Sequence, residues 1–170
     1  MSERENILEL KNVVYSFHTY GGEVKAVRDV SYEVRQGEIL GIVGESGCGK
    51  SVTAQCILRL NPEPPGFFEG GEILYKGQDV LKMSKKEIRK IRGREIGFVF
   101  QDPMTSLNPT MRVGAQIEEV FLGRTDVSKK EVKERAMDIM RLVGISDVEK
   151  RYKQYPHELS GGMKQRVMIA

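Results

Sequence analysis

The residues best suited to chemistry stand at positions 44–51, Gly44-Glu45-Ser46-Gly47-Cys48-Gly49-Lys50-Ser51, which fit the pattern G-x-x-x-x-G-K-[ST]. Gly44, Gly47 and Gly49 lack a Cβ, so the backbone is free to take positive φ and turn its N–H groups inward around an anion. Ser46, Cys48 and Val52 belong to the same stretch, whose amides and following helix make a cradle for phosphate charge. Lys50 brings a compact cation to the outer phosphates, and the Ser51 hydroxyl is placed to ligate Mg2+. A chance glycine-rich turn would match all four fixed positions in a chain of this size on the order of 1% of the time, so the stretch reads as a nucleotide-binding loop. Cys48, at the start of a helix, is expected to alkylate and to be shielded by bound nucleotide.

Such a loop needs a strand before it and a helix after it. The apolar run at 39–43 reads as a buried strand, and residues 52–58 are compatible with a helix. Upstream, Ile7, Leu8, Leu10, Val13 and Val14 alternate with polar residues as an edge-type strand. Gly21 and Gly22 then turn the chain into a second strand over 24–34. Residues 61–66, Asn-Pro-Glu-Pro-Pro-Gly, cannot continue a helix and read as a surface loop. A small hairpin around Lys76 and Gly77 is expected to rejoin the antiparallel layer. Ser84 and Glu87 form a capping box that opens a short basic helix with Ile88 and Ile91 buried, and the run at 96–100 suits a strand buried on both faces.

From Asn108 onward the apolar period changes from two to about 3.6. Val113, Ile117, Val120 and Phe121 mark one helix. A second, opened by Ser128 and Glu131, buries Val132, Ala136, Ile139, Met140 and Val143 and stops at Gly144. Strands first and helices after predict an α/β lobe over 1–107 followed by a helical subdomain over 108–170. Residues 160–170 start a helix that grows more apolar toward its end without a Gly, a Pro or a basic last turn, so the chain is expected to be cut inside a helix.

The 170 residues carry a net charge of +3 with 30% charged side chains, a mild balance that demands neither nucleic acid nor a membrane surface. Cys48 and Cys56, about two turns apart on one helix, are too far apart for a disulfide. With no signal peptide or spanning apolar run, the expectation is a reduced, cytoplasmic protein that serves any membrane process through a partner.

Two further stretches carry a resemblance. Gln101 follows the 96–100 run, and Leu159-Ser160-Gly161-Gly162-Met163-Lys164-Gln165-Arg166 opens the last helix. With the phosphate loop, these resemble the ATP-binding subunit of an ABC transporter over essentially the whole chain, Leu-Ser-Gly-Gly being that family's own signature. Met163 replaces the usual Gln, a substitution common in its peptide-importing branch. Residues 44–54, 101–109 and 155–160 resemble the dipeptide and oligopeptide importers, with nickel importers close behind, and Ser51-Val52-Thr53 resembles the first of their two ATPase subunits.

The resemblance implies a P-loop NTPase of ABC type, an α/β fold with an antiparallel β layer, a partial RecA-like core and a helical subdomain, incomplete at the C-terminus. It implies ATP and Mg2+ as cofactors and Phe17 as the aromatic that stacks on adenine, with Tyr15 the fallback. Gln101 would sense Mg2+ and the γ-phosphate and begin the loop that meets the membrane permease subunits. Ser160, Gly161 and Gly162 would cap a helix facing the γ-phosphate held by a second ATPase subunit in a head-to-tail dimer. A peptide-binding protein would take part indirectly, no nucleic acid would be involved, and the location would be the cytoplasmic face of the membrane.

The Mg2+-linked Asp, catalytic Glu and switch His that the resemblance implies fall outside these residues. A second expectation is therefore a non-catalytic nucleotide-binding module, self-associating or domain-swapping through an open strand edge. Asp102 is read as a turn residue rather than the metal-holding Asp, and His157 as structural. A GTPase is disfavoured by the absence of Asn-Lys-x-Asp. The basic run at 85–94 reads as a solvated helix face, with contact to anionic partners as the lesser reading.

Overall fold

The computed structural model describes residues 5–102, 106–122 and 128–170. The chain divides into two units, Met1–Gly97 and Phe98–Ala170.

In the first unit the alternating segments pair into an antiparallel sheet of β1 (Asn6–Thr19), β2 (Gly22–Arg35), β3 (Gly66–Tyr75) and β4 (Gln78–Asp79), in the order β2-β1-β3-β4. The turns follow their residues. Thr19 Oγ1 donates to the Gly22 carbonyl at 2.6 Å. Lys76 and Gly77 both take positive φ, 47° and 76°, as a type I′ hairpin turn requires. Leu10, Val13, Tyr15, Val27 and Ile73 form the buried part of the sheet.

The expected edge strand at 7–15 lies inside this sheet, bonded to β2 on one side and β3 on the other. Alternation reports which face of a strand is buried, not how many neighbours it has. The edges are instead the short β4 and β2, in which Val27 alone is buried.

Two helices complete the unit, α1 (Lys50–Ile57) and α2 (Lys85–Ile91). The capping box at α2 is present in both directions: Ser84 N donates to Glu87 Oε2 at 2.8 Å and Glu87 N to Ser84 Oγ at 3.4 Å. Ile88 and Ile91 are buried, as their spacing predicts.

The apolar runs at 39–43 and 96–100 depart from expectation, since neither forms a ladder strand. Ile39 is 98% and Val43 93% exposed, and Val99 and Phe100 are also exposed. A strand of a parallel sheet is stable only with partners beside it and helices over both faces, and among the described residues no strand pairs with either run. Around them only an isolated bridge forms, between Arg92 and Ile96.

The second unit is helical: α3 (Val113–Phe121), α4 (Lys129–Leu142), α5 (Val148–Arg151) and α6 (Gly161–Ile169). Val113, Ile117, Ala136, Met140, Ile145, Val148, Leu159 and Val167 make its core. Val120, expected on the buried face of α3, is 45% exposed, and Phe121 continues the stripe instead, packing against this core. Ser128 Oγ caps α4 by accepting from Glu131 N at 3.3 Å. Gly144, with φ +76°, ends α4 in a Schellman motif, with Gly144 N bonded to the Arg141 carbonyl and Ile145 N to that of Met140.

The first amides of α3 find no side-chain cap. Instead Val113 N and Gly114 N donate to the carbonyls of Gln154 and Tyr152 at 2.8 and 2.9 Å. That close approach depends on glycine, since a Cβ on Gly114 would lie 2.3 Å from the Tyr152 ring. Tyr152 is held in turn by its hydroxyl donating to Glu118. Gly114→Ala is therefore expected to destabilise the helical unit by about 1–3 kcal/mol through overpacking. Urea unfolding followed by circular dichroism checks this, and an unchanged midpoint contradicts it.

Candidate phosphate-binding site

The loop at 44–51 is exposed and leads directly into α1. Gly47 and Gly49 have φ of +80° and +93°, as expected. Gly44 does not take positive φ; its smallness serves close approach, because a Cβ there would come 2.9 Å from Cys48 Sγ and 3.9 Å from Lys50 Nζ. Gly49 meets both demands, since a Cβ would also lie 2.2 Å from the Ala26 carbonyl oxygen on β2. The loop is thus pressed against the sheet at its end and free to solvent at its start.

Lys50 Nζ folds back over the loop and donates to the carbonyls of Gly44 at 2.8 Å and Glu45 at 2.6 Å, with Cys48 Sγ at 3.4 Å. The ammonium therefore already stands inside the curve of the loop. Gly49 is the N-cap of α1 with no side-chain cap, and the first turn carries no acidic residue. Its amide end keeps its partial positive charge uncompensated, which is the electrostatic condition for receiving an anion. Ser46, Cys48 and Ser51 are exposed around this end, and Val52 is half-buried.

Below the loop, α1 is fixed by residues whose role sequence reading did not assign. Thr53 Oγ1 donates back to the Gly49 carbonyl at 2.9 Å. Asn61 Nδ2 donates to the Val52 carbonyl at 3.1 Å and to Cys56 Sγ at 3.2 Å. Arg92 reaches the far end, donating to the carbonyls of Leu58 at 2.8 Å and Arg59 at 2.5 Å. The 85–94 run is thus not wholly a solvated face. The only sequence signal was that Arg92 follows Ile88 and Ile91 on the buried side of α2.

The two cysteines are both free, Cys48 exposed and Cys56 buried. Burial pushes the Cys56 thiol up to about 12. Iodoacetamide is therefore expected to label Cys48 and to leave Cys56 untouched in the folded chain. Peptide mapping by mass spectrometry checks this, and comparable modification at both positions contradicts it.

Phe17 is half-buried on β1, edge-on to Tyr15 at 5.3 Å between ring centroids. It pairs with Val24 of β2, two residues, or about 7 Å along the strand, from the Ala26 carbonyl that touches Gly49. The sheet thus brings Phe17 toward the phosphate loop. Tyr15 is fully buried and offers no ring face to a ligand, which removes it as the fallback.

Gln101 and the signature residues lie in the second unit. Gln101 is exposed. Pro103, Met104 and Thr105 lie outside the described residues. Ser160 is the N-cap of α6, its Oγ accepting from Met163 N at 3.4 Å. Ser160, Gly161 and Gly162 are exposed, and the first turn of α6 has no acidic residue. Arg166 ties α6 to the end of α4, donating to the carbonyls of Val143 at 2.8 Å and Gly144 at 3.1 Å. The signature therefore presents a Ser-capped helix N-terminus, without an acidic residue in its first turn, on a braced helix. Among the described residues no helix is long and apolar enough to cross a membrane.

A glycine-rich turn feeding an uncapped helix, with a lysine curled into it, has the geometry that receives a phosphate group. The profile of the ABC transporter family matches residues 27–170, and the chain belongs to that family. It is 57% identical over 164 residues to the oligopeptide transport ATP-binding protein OppD of Bacillus subtilis, covering 96% of this chain and 46% of that protein. It is 50% identical over 166 residues to the dipeptide transport ATP-binding protein DppD of the same organism, covering 98% of this chain and 50% of that protein. The chain thus spans about half the length of these curated relatives. Among solved structures, the dimeric ATP-binding cassette MJ0796 bound to ADP and Pi superposes with a TM-score of 0.81 at 29% identity, over 95% of this chain and 67% of that one.

Proposed function

We propose that these residues belong to the ATP-binding subunit of a peptide importer, which powers transport by binding and hydrolysing ATP at the cytoplasmic face of the membrane. The observation that carries this reading is the loop at 44–51, with Lys50 Nζ curled inside it and α1 lacking any acidic residue in its first turn. The names of the relatives, which concern oligopeptides and dipeptides rather than nickel, favour peptide as cargo.

Gly44, Ser46, Gly47, Cys48, Gly49 and Val52 supply backbone to the phosphates, and Lys50 moves from the loop carbonyls to the outer phosphates. Ser51 gives a hydroxyl to Mg2+, and Phe17 offers a ring face to adenine. Gln101 acts as the sensor of Mg2+ and γ-phosphate and begins the loop that meets the permease. When bound, Mg2+ neutralises charge on the phosphates. Residues 1–107 form the nucleotide-binding lobe and 108–170 the signature-bearing subdomain. The helix start at Ser160, Gly161 and Gly162 receives the γ-phosphate of a second ATPase subunit in a head-to-tail dimer.

The exposed run at 39–43, with Ile39 and Val43 almost fully open to solvent, favours self-association of this chain by strand pairing. Light scattering at rising concentration tests it, and a constant monomer mass excludes it.

The functional reading is tested with the full-length protein and its permease partners in vesicles. ATP is expected to drive uptake of a labelled oligopeptide; uptake of nickel ion without peptide would overturn the cargo.

A further inference from the structure

At the end of α1 remote from the phosphate loop, Arg59, Lys85, Arg89 and Arg92 open onto one cavity of about 280 Å3, with Ile88 and Asn61 in its wall. Four cationic side chains face one carboxylate there, Glu63, which is itself exposed. The gathering follows from helix geometry. Lys85 and Arg89 lie four residues apart on one face of α2 and Arg92 caps its C-terminal end, while the buried Ile88 anchors the helix to the unit.

The two inner guanidinium groups are held by neutral partners. Arg92 is fixed by the Leu58 and Arg59 carbonyls. Arg59 takes a left-handed φ of +49°, its N–H bonded to the Cys56 carbonyl at 3.0 Å and its Nη1 to the Met83 carbonyl at 2.9 Å. Backbone carbonyls fix position without cancelling charge, so both groups are preorganised and still cationic. Lys85 and Arg89 make no ion pair among the described residues. Other cations of this unit do: Lys25 with Glu69, Lys76 with Glu95 and Lys82 with Asp79, at 2.7, 2.7 and 2.9 Å. Burial, with the positive charges of Arg59 and Arg89, lowers the Arg92 pKa.

We propose that this cavity is a second anion site, for a phosphate-bearing ligand with at least two ionised oxygens. Three guanidinium forks and an ammonium converging on one space match the several oxygens of a phosphoryl group better than a lone carboxylate. Its residues are separate from the phosphate loop, so it stands whether or not that loop binds ATP. The ligand class has two sources, a soluble phosphate compound or the headgroup of an anionic lipid.

The test is NMR titration of the chain with inorganic pyrophosphate at constant ionic strength, reading the arginine Nε–Hε resonances and backbone amides. Saturable shifts at Arg59, Arg89 and Arg92 are expected, also in Lys50→Ala, where the phosphate loop is impaired. The double variant Lys85→Gln/Arg89→Gln is expected to weaken those shifts at least tenfold. Both positions are exposed and make no ion pair, so the fold is retained, which circular dichroism verifies. Shifts confined to residues 44–52, equal shifts on adding sodium chloride, or an unchanged midpoint in the double variant would overturn the site. Sedimentation with phosphatidic acid vesicles in phosphatidylcholine separates the sources. Binding lost in the double variant assigns a lipid headgroup, and binding the variant retains, or none at all, assigns a soluble phosphate.

Discussion

Lys50→Ala is expected to lower the affinity of this chain for ATP about a hundredfold. Among the described residues, the ammonium that now donates to the Gly44 and Glu45 carbonyls is the only side-chain cation hydrogen-bonded within the loop. Bonds to charged groups contribute about 1.5–3 kcal/mol each, and a loss near 2.7 kcal/mol is a factor of about one hundred. The fold is expected to survive, because Lys50 bonds to exposed loop atoms, the Gly44 and Glu45 carbonyls and Cys48 Sγ, whereas α1 is held by Thr53, Asn61 and Arg92. Calorimetric titration with ATP checks the affinity and thermal unfolding checks the fold. An affinity within threefold of the parent would show that the lysine is not used.

Gly71→Ala is expected to be the most damaging small substitution in the sheet. β1 carries a bulge at Asn12, whose φ is +49°, where its register against β3 shifts between Lys11 and Val14. Gly71 sits opposite with φ +93°, and a Cβ there would lie 2.5 Å from the Asn12 carbonyl oxygen and 2.6 Å from Val13 Cα. Both are backbone atoms of the central strand, with no flexible side chain to yield. Left-handed strain of about 1–2 kcal/mol adds to overpacking of about 1–3 kcal/mol, so a loss near 3 kcal/mol and a fall in Tm of about 10 °C are expected. The neighbouring Gly70 has open space and no positive φ, so Gly70→Ala is expected to change stability by less than about 1 kcal/mol. Equal effects of the two substitutions would remove the steric account.

Chemistry written into contiguous residues was legible in the sequence; chemistry that depends on tertiary neighbours was not. The loop at 44–51, the capping box at Ser84 and the Gly144 stop are local devices whose partners lie within a few residues, and each forms as its residues dictate, while at Ser128 the hydroxyl caps the helix but Glu131 turns to Arg135 instead of closing the box. The helical core at Val132, Ala136 and Met140 follows from a period of 3.6 alone. The place of β1 inside the sheet did not follow, because side-chain alternation is silent about the number of hydrogen-bonded neighbours. Nor did the exposure of the 39–43 and 96–100 runs, since apolar composition states a need for burial and not whether a partner strand meets it. Arg92 was hidden because its partners at Leu58 and Arg59 are 34 and 33 residues away and are carbonyls, which sequence reading does not distinguish. Phe17 and Tyr15 are both aromatic and two residues apart, and only burial separates a usable ring from a core one.

Bound nucleotide gives the cysteine pair a second use. Cys48 lies in the loop beside Lys50, so saturating ATP is expected to slow its alkylation at least tenfold, while Cys56 stays unmodified throughout. Equal rates with and without ATP would separate Cys48 from the site.

The central claim is that the loop at 44–51 holds the phosphates of ATP. Its most direct measurement is an equilibrium titration of the folded chain with a fluorescent ATP analogue in the presence of Mg2+, followed by displacement with ATP. Saturable binding of one nucleotide per chain is expected, competed by ATP and weakened about a hundredfold in Lys50→Ala. A chain that is folded by circular dichroism and yet binds no nucleotide, or binds it equally well without Lys50, would contradict it.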